Sequence, residues 1–214
     1  MKQAIKFLAE LSVNNDRDWY NAHKEEAKTA TAEFATLVAD LQSRMSAFIP
    51  GLSEFEPKDL IYRLSRDVRF SKDKTPYNPT FRALLSSGGK KVVGAGCFFG
   101  IDGEAQAFLG SGFHGSDNKA AVAAIRDALV KDASGLDGIV KNYEVKGDKL
   151  KRVPAGYDAD SPVAELLKHK SWHIEREISL SGLTEKEMAE QLTKEFHAMA
   201  PFVDWLNEAL TEVK

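Results

Sequence analysis

Residues 63 to 82, RLSRDVRFSKDKTPYNPTFR, carry Arg63, Arg66, Arg69, Lys72, Lys74 and Arg82 against Asp67 and Asp73, so the stretch is +4 in a chain of formal charge −3. The remainder of the chain is therefore −7. Guanidinium groups gathered in this way fork onto carboxylate or phosphate oxygens, and the chemistry they predict is recognition of an anion. If residues 59 to 70 form a strand, Tyr62, Leu64, Arg66, Val68 and Phe70 share one face, and Arg63, Ser65, Asp67 and Arg69 share the other. Arg66 on the apolar face then needs a carboxylate, backbone carbonyls or a bound anion, because it cannot lose its proton. If the stretch is helical, Arg63, Arg66 and Arg69 still align at steps of three. Pro76 and Pro79 stiffen the SKDKTPYNP segment that follows and hold Lys72, Lys74 and Tyr77 in few arrangements. The expected ligand-binding set is Arg63, Arg66, Arg69, Lys74, Tyr77 and Arg82, with Asp67 orienting an arginine or moving a proton.

A second candidate is GSGFHG, residues 110 to 115, which matches G-x-G-x-x-G between an expected strand and an expected helix. Three features oppose a dinucleotide site. The preceding strand belongs to a hairpin, no acidic residue ends a following strand, and Asp117 puts negative charge where phosphate would sit. The looser expectation is that backbone N–H groups at this helix start join the arginines in an anion site. His114, within the segment, is the histidine placed to act as an acid or base. His169 and His173 stand four apart, but an expected change from helix to strand separates them and no third ligand follows, so no metal is expected.

These residues need elements to position them. Helices are expected over Gln3 to Leu11 and, after the caps Asn14 and Asn15, along a stretch whose Phe34, Leu37, Val38, Leu41, Met45 and Phe48 mark one buried face until Pro50 and Gly51. Phe81 to Leu85, Val92 to Ile101 and Glu104 to Leu109 read as strands, joined by SSGGK and IDGE, with Asp102-Gly103 as a type I′ turn. Helix is expected from Asp117, its cap, to Val130, with Val122, Ile125 and Leu129 inward. A strand at Tyr143 to Val145, a loop VPAGYDADSP and a helix over Val163 to His169 precede a strand at Trp172 to Leu180. That strand turns Trp172, Ile174, Ile178 and Leu180 one way and His173, Glu175 and Glu177 the other. Thr184 and Glu187 form a capping box for a helix to about His197, resuming after Pro201. Together these predict one α+β domain over residues 1 to 214, with a central antiparallel sheet flanked by N- and C-terminal helices.

The 214 residues are 43% apolar and 29% charged, without repeats, and the longest apolar runs fall short of the roughly 18 residues of a membrane span. No signal-peptide pattern opens the chain, and the expectation is a cytoplasmic protein. The single cysteine, Cys97, excludes an internal disulfide and a multi-cysteine zinc site, and its apolar neighbours predict a buried side chain. No Walker loop, G-x-S-x-G, zinc-protease helix or kinase signature is present, so no cofactor is expected. Trp19, Trp172 and Trp205 fall in regular elements as packing anchors.

The motif Arg63, Arg66, Asp67, Arg69, Phe70, Lys74 and Tyr77 resembles the R-x-x-R-D-x-R-F…K…Y signature of a sparsely distributed bacterial family of conserved hypothetical proteins, a domain of unknown function also found in some fungal proteins. FLAELSVNNDRDWYNAHKEE is similar to the opening of that family, and GDKLKRVPAGYDADSP to its later loop. Asn78-Pro79 stand where the family more often has lysine. The resemblance covers nearly the whole chain and implies one α+β domain, with no established activity.

Three readings are open. In the first, the cluster binds or processes an anionic ligand, phosphorylated compounds included. In the second, it is a buried ion-pair network locking the sheet, the protein acts through a protein partner, and Arg66→Ala costs roughly 3–5 kcal/mol by stranding a charge. In the third, it tracks a nucleic-acid backbone, which the acidic remainder and the lack of paired metal-binding carboxylates disfavour. The first is the expectation taken forward.

Overall fold

The computed structural model describes residues 1–91, 94–115 and 117–211. The elements run α1 (Lys2–Val13), α2 (Arg17–Ala22), α3 (Lys24–Met45), α4 (Pro57–Leu60), β1 (Ile61–Tyr62), β2 (Thr80–Leu85), β3 (Gly96–Asp102), β4 (Gln106–Phe113), α5 (Lys119–Lys131), α6 (Asp137–Asn142), α7 (Ala164–Leu167), β5 (Trp172–Ser179) and α8 (Glu185–Ala209). The five strands form one antiparallel sheet in the order β1-β2-β3-β4-β5, flanked by the N- and C-terminal helices, an α+β architecture. No described helix is long and apolar enough to cross a membrane.

One face of the sheet makes the core. Phe81, Ala83 and Leu85 of β2, Cys97, Phe99 and Ile101 of β3, and Ala107 and Leu109 of β4 are buried at alternate positions, as strand geometry requires. Phe34 of α3 packs on Phe81 and Phe99 at ring separations of 5.0 and 5.5 Å, and Phe196 of α8 meets Phe99 at 6.2 Å. Cys97 is buried and hydrogen-bonded by the Ser111 hydroxyl, and burial pushes its thiol up to about 11, which keeps it an unreactive core group.

Several local expectations are corrected. The helix expected after Asn14 and Asn15 is two helices: Asp16, not an asparagine, caps α2 by accepting from Trp19 N at 2.8 Å, and the chain breaks at His23 before α3. Phe48 lies beyond the end of α3 and is 48% exposed. Only Ile61 and Tyr62 of the stretch 59–70 are strand. The strand expected from Val92 begins at Gly96, and Val92 and Val93 lie outside the described residues. The β3–β4 turn places Ala105, at φ 56°, in the left-handed region, where a type I′ turn would put positive φ at Asp102 and Gly103. Gly103 serves another purpose: a Cβ there would lie 2.3 Å from the Ala9 nitrogen of α1. Asn118, not Asp117, caps α5. Residues 143–145 form no strand, although the neighbouring Lys146 bridges to His173. The capping box at Thr184 and Glu187 is present, but α8 continues through Pro201. Phe196, Met199, Phe202, Val203 and Leu206 keep one buried face across the proline, and that burial offsets the roughly 3 kcal/mol a mid-helix proline costs. The last residues, 212–214, lie outside the described part.

Candidate functional site

The cationic motif forms a lobe between β1 and β2. Leu64 is buried beneath it, and the two legs pair through Arg66 N to Pro76 O and Asn78 N to Leu64 O, both 2.8 Å, around a Ser65–Tyr77 bridge. Asn15 clamps the Tyr77 backbone from both sides, donating to its carbonyl at 2.9 Å and accepting from its N–H at 3.1 Å. The Tyr77 ring stacks on Tyr20 at 4.1 Å. The chain opening and the motif tyrosine therefore hold each other in place.

Within the lobe, cations meet local partners. Arg66 donates to Asp73 at 2.5 Å and to the Thr75 hydroxyl. Asp67 takes Arg69 in a fork at 2.6 and 3.0 Å. Lys74 donates to the carbonyls of Val68 and Arg69 at 3.0 and 3.4 Å. Hydrogen bonds from the Thr75 backbone and hydroxyl, and from Arg66, hold the Asp73 carboxyl down at about 2, and the Arg69 fork lowers that of Asp67. Arg66 is 29% exposed and belongs to no buried strand face, so the premise that its removal strands a deeply buried charge is corrected. Arg63 is exposed, and Phe70 is 95% exposed at the tip.

The outer face of the sheet differs. Arg82 and Leu84 of β2, Phe98 of β3 and Phe108 of β4 floor a cleft of about 570 Å³, walled by Tyr62 on one side, Lys90 beyond β2, and His114 beyond β4. Of the expected site residues, Arg82 and His114 line this cleft; Arg63, Arg66, Asp67, Arg69, Lys74 and Tyr77 do not. No carboxylate lines it among the described residues.

Arg82 pairs with Tyr62 across the β1–β2 register, and its guanidinium lies 5.7 Å from the centre of the Tyr62 ring. Lys90 approaches the same ring at 5.4 Å and is held by the Ile61 carbonyl at 2.8 Å. Among the described residues the Arg82 side chain has no hydrogen-bond or ion-pair partner, and its Nε is closed to solvent. Burial raises the Tyr62 phenol, opposed by Arg82, which leaves a neutral hydroxyl at the rim.

At the other end His114 stacks on His173 at 4.4 Å and meets Phe98 edge-on at 5.3 Å. Burial lowers the affinity of both imidazoles for a proton, and for His173 the proximity of His114 adds to it. His173 Nε2 faces Glu175 at 3.3 Å, while its Nδ1 is buried without a partner among the described residues. Both rings are therefore neutral near pH 7, so His114 is available as a hydrogen-bonding group or base.

GSGFHG is not a loop: Gly110, Ser111, Gly112 and Phe113 are inside β4, which pairs antiparallel on both sides, and no βαβ unit exists for a dinucleotide fold among the described residues. Lys90, Tyr62, Phe98 and Phe108 belong to the cleft although no sequence motif singles them out. The available signal was a period-two pattern, Gly96-Phe98-Gly100 and Phe108-Gly110-Gly112, on one face of two adjacent strands. Among the described residues no cluster of three or more His, Cys, Asp or Glu side chains suits a metal.

A family model described as conserved hypothetical protein, DUF2461, matches residues 3–205 of the chain. No curated protein and no solved structure matches.

Proposed function

The chain belongs to that family of conserved hypothetical proteins, and we propose from its own cleft that the protein binds an anionic small ligand, phosphorylated compounds included, with Arg82 as the receiving group. The observation that carries this reading is the contrast between Arg82 and the other half-buried or buried guanidiniums. Arg44 has Asp40, Arg66 has Asp73, and Arg126 has the carbonyls of Leu167 and His169; among the described residues Arg82 has no such partner. The desolvated Nε–H without a partner costs about 1–3 kcal/mol, and an anion on the terminal guanidinium nitrogens would compensate the charge that the whole group shares. Lys90 adds a second cation, and the absence of a lining carboxylate among the described residues leaves neither cation neutralised. The volume of about 570 Å³ is that of a small-molecule site.

The motif lobe supports the structural alternative for its own residues. Arg66, Arg69 and Lys74 are already engaged by groups of the lobe, so an anion there would have to displace them.

The test is thermal unfolding of wild type and Arg82→Met at low ionic strength, with and without inorganic phosphate and adenosine 5′-monophosphate. A ligand at about 100 times its Kd adds about 2.7 kcal/mol, a rise of roughly 5–10 °C for a chain of this size. Wild type should shift and the variant should not, while the unliganded variant melts no lower than wild type. A variant that shifts equally removes Arg82 from the site.

A further inference from the structure

We infer that the anion carried into this cleft is borne by a planar aromatic ring, which lies on Phe98 and Phe108 while its charged group reaches Arg82 and Lys90. The inference rests on the anion-binding reading and deepens it.

The floor is built to be flat. Phe98 stands opposite Gly110, and Phe108 opposite Gly100, in the β3–β4 register. A Cβ on Gly110 would come within 2.6 Å of the Phe98 ring, and one on Gly100 within 2.2 Å of the Phe108 ring. Each phenyl therefore lies down over the glycine of the neighbouring strand instead of standing up from its own. Covering a glycine accounts for one face of each ring. The other face of Phe108 is left open, with the residue 37% exposed.

The walls repeat the chemistry. Tyr62, 38% exposed and already flanked by Arg82 and Lys90, closes the cationic side. His114, edge-on to Phe98, closes the other and offers an imidazole nitrogen to the rim of a ring laid on the floor. The rings of Tyr62, Phe98, Phe108 and His114 and the cations of Arg82 and Lys90, with no carboxylate among the described residues, thus line one cavity. A sugar phosphate or aliphatic dicarboxylate would satisfy the cations and leave the aromatic floor wet; a ring with one anionic group satisfies both. Mononucleotides and aromatic carboxylates share this chemistry.

The experiment is calorimetric titration in matched pairs: adenosine 5′-monophosphate against ribose 5-phosphate, and 4-hydroxybenzoate against cyclohexanecarboxylate, with adenosine as the uncharged ring. Wild type should bind at least one aromatic anion about tenfold or more tightly than its non-aromatic counterpart, as stacking of one ring implies. The arm that binds distinguishes nucleotide from carboxylate. Phe108→Leu, which keeps apolar volume, should narrow that ratio while leaving the weaker partner of each pair unchanged. A structural role alone would lower Tm without moving the ratio. Equal affinity within both pairs in wild type overturns the aromatic inference and leaves the anion site standing, whether or not the variant folds. If adenosine binds as tightly as its monophosphate and Arg82→Met changes neither, the anion reading fails and only the aromatic floor remains.

Discussion

Arg66 and Arg82 come from the same cationic stretch, and the fold treats them in opposite ways. Around Arg66 the chain supplies Asp73, Thr75 and a lobe closed by Asn15 and Leu64, so the guanidinium is spent on holding its own loop. Around Arg82 the neighbours are glycine, phenylalanine, tyrosine and lysine, and the guanidinium Nε–H is left buried without a partner among the described residues. Local charge density alone does not identify a binding site; what separates the two regions is whether the same sequence also delivers acceptors. In the lobe they lie within a few residues, whereas in the cleft the strands deliver none to Arg82 among the described residues.

The largest effect expected is on the cleft floor. Gly110→Val would drive a β-branched side chain against the Ile174 carbonyl, 2.5 Å from the added Cβ, and against the Phe98 ring. Overpacking of that kind costs about 1–3 kcal/mol or more, so Tm should fall by several degrees and ligand binding should be lost with it. A variant that melts like wild type would mean the floor yields more easily than its close packing implies.

The paired substitutions Arg66→Met and Arg82→Met sharpen the comparison through the sign of their effects. Loss of the pair that half-buried Arg66 makes with exposed Asp73 should lower Tm by at most about 4 °C, because such pairs contribute little. Loss of Arg82 should leave Tm unchanged or raise it, since an uncompensated charge is removed from a half-buried position. Melting curves at equal ionic strength decide this, and a larger fall for Arg82→Met would make that residue structural.

Acid should affect the two regions in different windows. His114 and His173 are held below the ordinary imidazole value, and buried His169 is pushed down to about 4. Between those values and about 6.5 the unfolded chain binds more protons than the folded one, so stability present above about 6.5 declines as pH falls. Asp73 and Asp67 are also lowered, Asp73 to about 2, so the lobe keeps its carboxylate partners until pH falls below about 4 and loses Asp73 near 2. Amide spectra should show the His173 region changing first, and the Thr75 and Arg69 amides, which donate to Asp73 and Asp67, changing last.

The smallest effect belongs to Asp67→Asn. It should loosen the Arg69 fork, read as faster exchange of the Arg69 amide, with Tm within about 1 °C of wild type.

Much of this organisation is legible in the sequence. Apolar spacing marks α3, the alternation at Trp172 marks β5, and the Thr184/Glu187 pair marks the start of α8, because each signal is local. Pro201 misleads because tertiary burial outweighs a local penalty, and Asn14 and Asn15 mislead because Asp16 makes the better-placed cap while Asn15 is used across the fold on Tyr77. The candidate site is half legible. Arg82 and His114 stand out by type, but their common cleft depends on strand register, which brings together residues from β1 to the turn after β4. The lobe's arginines attract attention by composition, and their carboxylate partners, although visible in the sequence, acquire meaning only once the legs pair at Ser65 and Tyr77.

The central claim is that the cleft guanidinium, and not those of the lobe, receives the ligand. The most direct measurement is an NMR titration of the arginine Nε–H resonances with adenosine 5′-monophosphate at low salt. The account predicts that the Arg82 resonance moves as ligand is added, while Arg66 and the Arg69 resonance tied to Asp67 stay fixed. Movement of the lobe resonances with Arg82 unmoved would contradict it and return the site to the motif.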